Sequence, residues 1–125
     1  MIIGIGTDIV EIDRIAGKLA KGTGFRNLVF TPFEIEYCEQ QAKPAASYAA
    51  RFAAKEALLK ALGTGWGNGN INFDQIEIRN DTYGKPALFL INGAEEAYQR
   101  LQIKQVWVSL SHEKNNAIAM VVLEG

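Results

Sequence analysis

Apolar and polar positions change period along this chain. At the start, IIGIGTDIV is β-branched and alternates by twos, with Ile3, Ile5 and Thr7 on one side and Gly4, Gly6 and Asp8 on the other. That spacing predicts a strand over 2–10 whose end carries a carboxylate. Residues 11–21 read as a helix, which Gly22 and Gly24 stop. Thr31-Pro32-Phe33-Glu34 is a helix start, with Thr31 as N-cap, Pro32 in the first turn and Glu34 in capping-box position. This helix is expected to reach residue 41 or so. Pro44 opens a longer one that runs to Leu62, ends at Gly63 and gives way to a flexible glycine loop, GTGWGNGN.

The second half alternates by twos. Ile76 and Ile78 belong to one strand, 80–86 to a turn, and 87–91 to its return. Asn92 can cap a short helix through about residue 101. Val106, Val108, Leu110 and His112 then share one strand face, and 113–116 turns the chain into an antiparallel strand over 117–123. The pattern predicts one α+β domain over 1–125, a mostly antiparallel sheet packed with helices.

Composition narrows the class. The chain has 125 residues, of which 48% are hydrophobic, enough for one modest core. A net charge of −1 argues against general nucleic-acid binding. A single cysteine, Cys38, permits no internal disulfide and suits a reducing compartment. One histidine beside one cysteine excludes a Cys/His zinc cluster. The apolar start is short, lacks a basic leader and meets Asp8, so it does not read as a secretion signal. No run approaches the ~20 apolar residues of a membrane span. The expectation is a soluble cytoplasmic protein.

The long helix raises a chemical question. At ~100° per residue, Arg51 and Lys55 fall together, while Glu56 and Lys60 fall on the far side. Phe52 and Leu59 flank that second strip on one side, Ala53 and Ala57 on the other. Glu56 and Lys60 fit an ordinary i,i+4 surface pair, worth ~0.2–0.5 kcal/mol. Yet a helix apolar nearly all round is normally buried, and a buried carboxylate must be paired, hydrogen-bonded or bound to metal. Asp8 is the second acid in an unusual place. It fits a cap for the next helix, or a partner of Glu56 around Mg²⁺, which accepts few carboxylates and completes its shell with water and phosphate.

Other candidates carry weaker signals. His112 ends a strand, where histidine is more often a structural hydrogen-bonder. Ser109 and Ser111 point away from it, which argues against a Ser–His couple. The glycine loop follows a helix and so lacks the N-terminal dipole of a phosphate loop. Arg14, Lys18, Lys21 and Arg26 occur without an acid from 14 to 33, and the first three share a helix face. Such a face is commonly just solvated, but it also suits an acidic partner, with Phe25 as an apolar anchor.

Taken together, IGTDIVEIDRI, FAAKEALLKALGTG, GKP and SLSH occur in an order that resembles the holo-[acyl-carrier-protein] synthases, the small class of 4′-phosphopantetheinyl transferases, over essentially the whole length. The resemblance implies the 4′-phosphopantetheinyl transferase fold. It also implies a reaction in which a serine of apo acyl carrier protein attacks the β-phosphorus of coenzyme A, takes the 4′-phosphopantetheine arm and releases adenosine 3′,5′-bisphosphate, for fatty acid biosynthesis. It makes Asp8 and Glu56 the Mg²⁺ ligands, and Glu56 or a water it orients the base. Lys60 becomes the diphosphate's cation or the leaving group's acid. Arg51, Lys60, Gly63, Gly65, Gly84, Lys85, Pro86, Ser111 and His112 become walls of the coenzyme A site. Arg14, Lys18, Lys21, Phe25 and Arg26 would receive the carrier. It implies a homotrimer with active sites between subunits, so these groups need not come from one chain. Pyrophosphate hydrolysis and a non-enzymatic adaptor remain the rival readings.

Overall fold

The computed structural model describes residues 1–63 and 71–125. The glycine loop beyond Gly63, Gly65 included, lies outside the described residues. In chain order the elements are β1 (Ile2–Glu11), α1 (Ile12–Ala20), α2 (Gly24–Val29), α3 (Pro32–Glu39), α4 (Pro44–Leu62), a single 3₁₀ turn (Phe73–Gln75), β2 (Ile76–Asn80), β3 (Pro86–Leu90), α5 (Glu96–Arg100), β4 (Gln105–His112) and β5 (Asn116–Glu124). The strands form an antiparallel sheet in the order β1-β5-β4 and a separate β2-β3 hairpin. This is the α+β architecture of helices on antiparallel sheet that the pattern predicts.

Helix α4 is the axis of the molecule. Its alanines, Ala49, Ala50, Ala53, Ala54 and Ala57, are all buried, as are Leu58 and Leu59. Small side chains let it lie close against the sheet face formed by Ala117, Ala119, Val121 and Leu123 of β5. On β1 the approach is closer still. A Cβ on Gly6 would stand 1.9 Å from the Ala57 carbonyl oxygen, and one on Gly4 would stand 2.3 Å from that of Ala61. The glycines of GIG are therefore a groove that seats α4, a use of glycine set by contact rather than by conformation.

The caps follow sequence chemistry. The Thr31 hydroxyl accepts from the Glu34 N–H, and the Glu34 carboxylate accepts from the Thr31 N–H, so the capping box is complete. Gly63 closes α4 in the left-handed region at φ 77.

Three details differ from expectation. β1 runs on through Glu11, paired with Asn116, so Asp8 sits within the strand opposite Ala119 and caps nothing. Residues 24–29, for which the sequence pattern predicts no element, form α2. Its Val29 is buried, and the adjoining Phe30 packs edge-on against Phe25 and Tyr48. That packing overrides the weak local propensity of a segment opened by glycine. Asn92 does not cap a helix: it turns the chain at φ 53, and α5 begins only at Glu96.

The helical wheel also misplaces the buried charge. Lys55, not Lys60, is the enclosed ammonium, with 0% of its surface exposed. Its Nζ donates to Glu34 Oε1 at 2.6 Å, to the Val29 carbonyl at 2.7 Å and to the Phe73 carbonyl at 2.9 Å, using all three hydrogens. Burial pulls this ammonium below its ordinary pKa, and Glu34 opposes that pull. The second Glu34 oxygen accepts from the Ile78 N–H, tying the β2-β3 hairpin to α3 and α4.

Candidate active site

The Gly4–Gly6 groove sets the first half of the site. Gly4, Gly6 and Asp8 share the face of β1 that meets α4, so the close approach at Gly6 continues to Asp8. There Lys60 Nζ donates to Asp8 Oδ1 at 2.9 Å and to the Thr7 carbonyl at 3.1 Å. The lysine is largely exposed while Asp8 is largely covered. Glu56, one helical turn before Lys60, is half-buried in the same seam. Its pKa is raised, first by burial and then by the Asp8 carboxylate, while Lys60 and Arg14 pull it down. Two acids and a lysine thus converge on one seam, and the acids repel each other.

Such a seam suits a hard divalent cation. Mutual repulsion between carboxylates is relieved by a bound cation, and Mg²⁺ needs only one or two carboxylates besides water and phosphate oxygens. Among the described residues no three His, Cys, Asp or Glu side chains group together, so two carboxylates are what this seam offers. The donor set fits Mg²⁺ and not a closed protein cage.

The second half lies on the other flank of α4. Arg51, Gly84 and His112 line a pocket of about 430 Å³ together with Tyr37, Lys43 and Asn80. His112 ends β4, paired with Ala117, whereas Asp8 lies on β1, with β5 running between the two strands. One chain therefore brings Asp8, Glu56 and Lys60 together, and separately Arg51, Gly84 and His112. Lys85 is exposed, Pro86 half-buried and Gly63 exposed at the end of α4. Ser111 points from the opposite face of β4 and does not line this pocket. Tyr37, Lys43 and Asn80 were not singled out in the sequence, since only tertiary contact collects them.

The basic residues divide. Arg14 is exposed on α1 and close enough to act on Glu56. Lys18 holds its Nζ 5.3 Å from the centroid of Phe25, which packs on Phe52. Lys21 is exposed at the end of α1. Arg26 sits apart on α2, lining a separate hollow with Glu39 and Tyr48. A basic, partly aromatic surface therefore borders the acidic seam.

Known proteins share this sequence and fold. Residues 4–121 match the family described as the 4′-phosphopantetheinyl transferase superfamily. A holo-[acyl-carrier-protein] synthase of Syntrophus aciditrophicus is 50% identical, covering 100% of this chain and 98% of its own. The crystal structure of the Neisseria meningitidis holo-[acyl-carrier-protein] synthase superposes with a TM-score of 0.92 at 40% identity, covering 100% of both chains. That of a Bacillus anthracis holo-(acyl-carrier-protein) synthase, in complex with CoA (3′,5′-ADP), gives 0.81 at 39% identity over 98% of this chain and 96% of the other. The chain belongs to the 4′-phosphopantetheinyl transferase superfamily. Within it, its enzymatic class is that of the holo-[acyl-carrier-protein] synthases.

Proposed function

We propose that this enzyme transfers the 4′-phosphopantetheine arm of coenzyme A to a serine of apo acyl carrier protein, dependent on Mg²⁺, releasing adenosine 3′,5′-bisphosphate. The observation that carries this reading is the seam at which Asp8, Glu56 and Lys60 meet beside the basic face of α1. The coenzyme A complex of the Bacillus anthracis relative supports the donor. Asp8 and Glu56 would hold Mg²⁺, which when bound supplies positive charge against the diphosphate. Phosphoryl transfer asks the protein mainly for positioning and charge neutralisation. Lys60 adds a cation on the solvent side of the seam. Glu56, with its raised proton affinity, is the group suited to take the serine proton as the Oγ–P bond forms and the bond to the bisphosphate breaks.

Arg51 and His112 are suited to the nucleotide phosphates, and Gly84, Lys85 and Pro86 to the pocket rim. Arg14, Lys18, Lys21 and Phe25 form the surface for an acidic carrier, with Arg26 at its margin. Because the two half-sites flank α4 separately, we read the working enzyme as a homotrimer whose clefts join the Asp8 side of one chain to the His112 side of the next. The outer sheet face supports this. Ile3, Ile5, Ile9, Trp107, Ile118 and Met120 stand exposed there, an apolar surface that suits burial against another copy. No helix among the described residues is long and apolar enough to cross a membrane. We place the reaction in the cytoplasm, in fatty acid biosynthesis.

The test is direct. Protein, Mg²⁺ and coenzyme A are incubated with and without apo carrier protein and followed by intact mass. One phosphopantetheine added to the carrier, lost on chelation and in Glu56→Gln, supports transfer. Coenzyme A cleaved without carrier points to hydrolysis. Near-full turnover by Glu56→Gln refutes the metal and base assignments.

A further inference from the structure

The pocket around Arg51 contains a brace whose central residue, Asn80, has no part in the proposed chemistry. Arg51 is 3% exposed, and its guanidinium lies 4.2 Å from the centroid of the Tyr37 ring. Nη1 donates to the Ser47 hydroxyl at 2.9 Å, and Nη2 donates to Asn80 Oδ1. Nε has no hydrogen-bond partner among the described residues. The tilt of the fork therefore rests on a stack, one serine and Asn80.

Asn80 works in both directions. While Oδ1 accepts from Arg51, Nδ2 donates to the Gly84 carbonyl at 2.9 Å. Only one orientation of the amide satisfies both partners. The Gly84 turn has its own internal ties: the Asp81 carboxylate accepts from the N–H groups of Tyr83 at 2.8 Å and Lys85 at 2.9 Å. Those bonds shape the turn but do not set its distance from α4. Asn80 does, by spanning from the middle of α4 to the turn across the pocket both of them line.

We propose that Asn80 is a positioning residue for nucleotide recognition, holding the Arg51 guanidinium and the Gly84 turn at one fixed separation around an adenosine bisphosphate group. It rests on the reading of this pocket as the nucleotide end of the coenzyme A site. Asn80 acts through Arg51 and need not touch the ligand. Its effect therefore exists only while Arg51 is present, and a double-mutant cycle isolates it.

The experiment is calorimetric titration of the intact assembly with adenosine 3′,5′-bisphosphate, with melting curves alongside. Loss of a hydrogen bond to a charged group predicts a Kd about 10-fold weaker in Asn80→Ala. Asn80→Asp keeps an acceptor for Arg51 but loses the donor to Gly84, and about 3-fold weakening is expected. In an Arg51→Ala background, itself weaker by more than about 10-fold, adding Asn80→Ala is expected to change Kd by less than about two-fold. Equal weakening in both backgrounds, including any that tracks a lowered melting temperature, overturns the proposal. So does unchanged binding by Asn80→Ala where Arg51→Ala is weak. Unchanged binding by Arg51→Ala instead overturns the nucleotide reading of the pocket, a different failure read from a different variant.

Discussion

Adding one methyl group at Gly6 is expected to disable this enzyme without touching a charged residue. The Cβ of Gly6→Ala would lie 1.9 Å from the Ala57 carbonyl oxygen and 2.8 Å from the Ala61 nitrogen, all backbone atoms that no rotamer change can move. A close carbon–oxygen contact needs about 3.3 Å, so α4 must withdraw from β1 by about 1.4 Å at this point. The Lys60–Asp8 bond of 2.9 Å crosses the same seam, and Glu56 lies one residue before Ala57. A displacement near 1 Å in a catalytic constellation costs on the order of 10²-fold in rate, and overpacking costs about 1–3 kcal/mol of stability.

The assay is the intact-mass measurement of carrier modification, paired with melting curves. Gly6→Ala is expected to fold, to melt several degrees lower and to lose about 10²-fold in kcat/KM. Gly17→Ala is the control, since a Cβ there meets nothing within 4 Å. If Gly6→Ala keeps both melting temperature and turnover, α4 is not seated by the glycine groove, and the account of how Asp8 meets Glu56 and Lys60 fails with it.

Other consequences are independent of that seam. Lys55→Met leaves Glu34 charged and enclosed, so a loss of about 3–5 kcal/mol is expected in denaturant unfolding, and Lys55→Met/Glu34→Gln should recover part of it. The Glu113 carboxylate accepts from the Asn115 N–H and the Asn116 amide, which depress its pKa. A depressed carboxylate stabilises above its unfolded pKa and loses that effect as pH falls through its folded one. The melting temperature of Glu113→Gln should therefore lie slightly below the parent's at pH 7, with the gap closing as pH falls from about 4 through the depressed folded-state pKa. Met120→Glu puts a charge in the middle of the exposed apolar sheet face, opposite Thr7 and Ser109, and should shift the assembly toward monomer in light scattering. An unchanged mass would remove that face from the interface.

How much of this was legible in the sequence depends on the range of the force involved. Period and caps are local, so the alternation of β1, the Thr31 capping box and the Gly63 stop all read correctly. Helix α2 did not, because it is held by the burial of Val29 and the packing of Phe25 and Phe30 rather than by its own propensity. The Glu56–Lys60 strip was visible as an anomaly, but the wheel could not tell an enclosed lysine from an open one. Lys55 is enclosed because Glu34, Val29 and Phe73 arrive from three other segments, and helical angle carries no information about them.

The division of the site follows from the same limit. FAAKEALLK reads as a single motif, yet its helix turns different residues toward opposite flanks: Arg51, just before it, toward the Gly84 turn, and Glu56 and Lys60 toward β1. With β5 between β1 and β4, the sheet holds Asp8 and His112 on strands that do not touch. In the homotrimer proposed above, a ligand long enough to reach both flanks would be served by two chains, which joins the apolar outer face and the split site in one explanation. If the Met120→Glu chain stays folded as a monomer, it should still bind adenosine 3′,5′-bisphosphate at the Arg51 side but transfer nothing to the carrier. Full transfer by that monomer would refute the shared cleft.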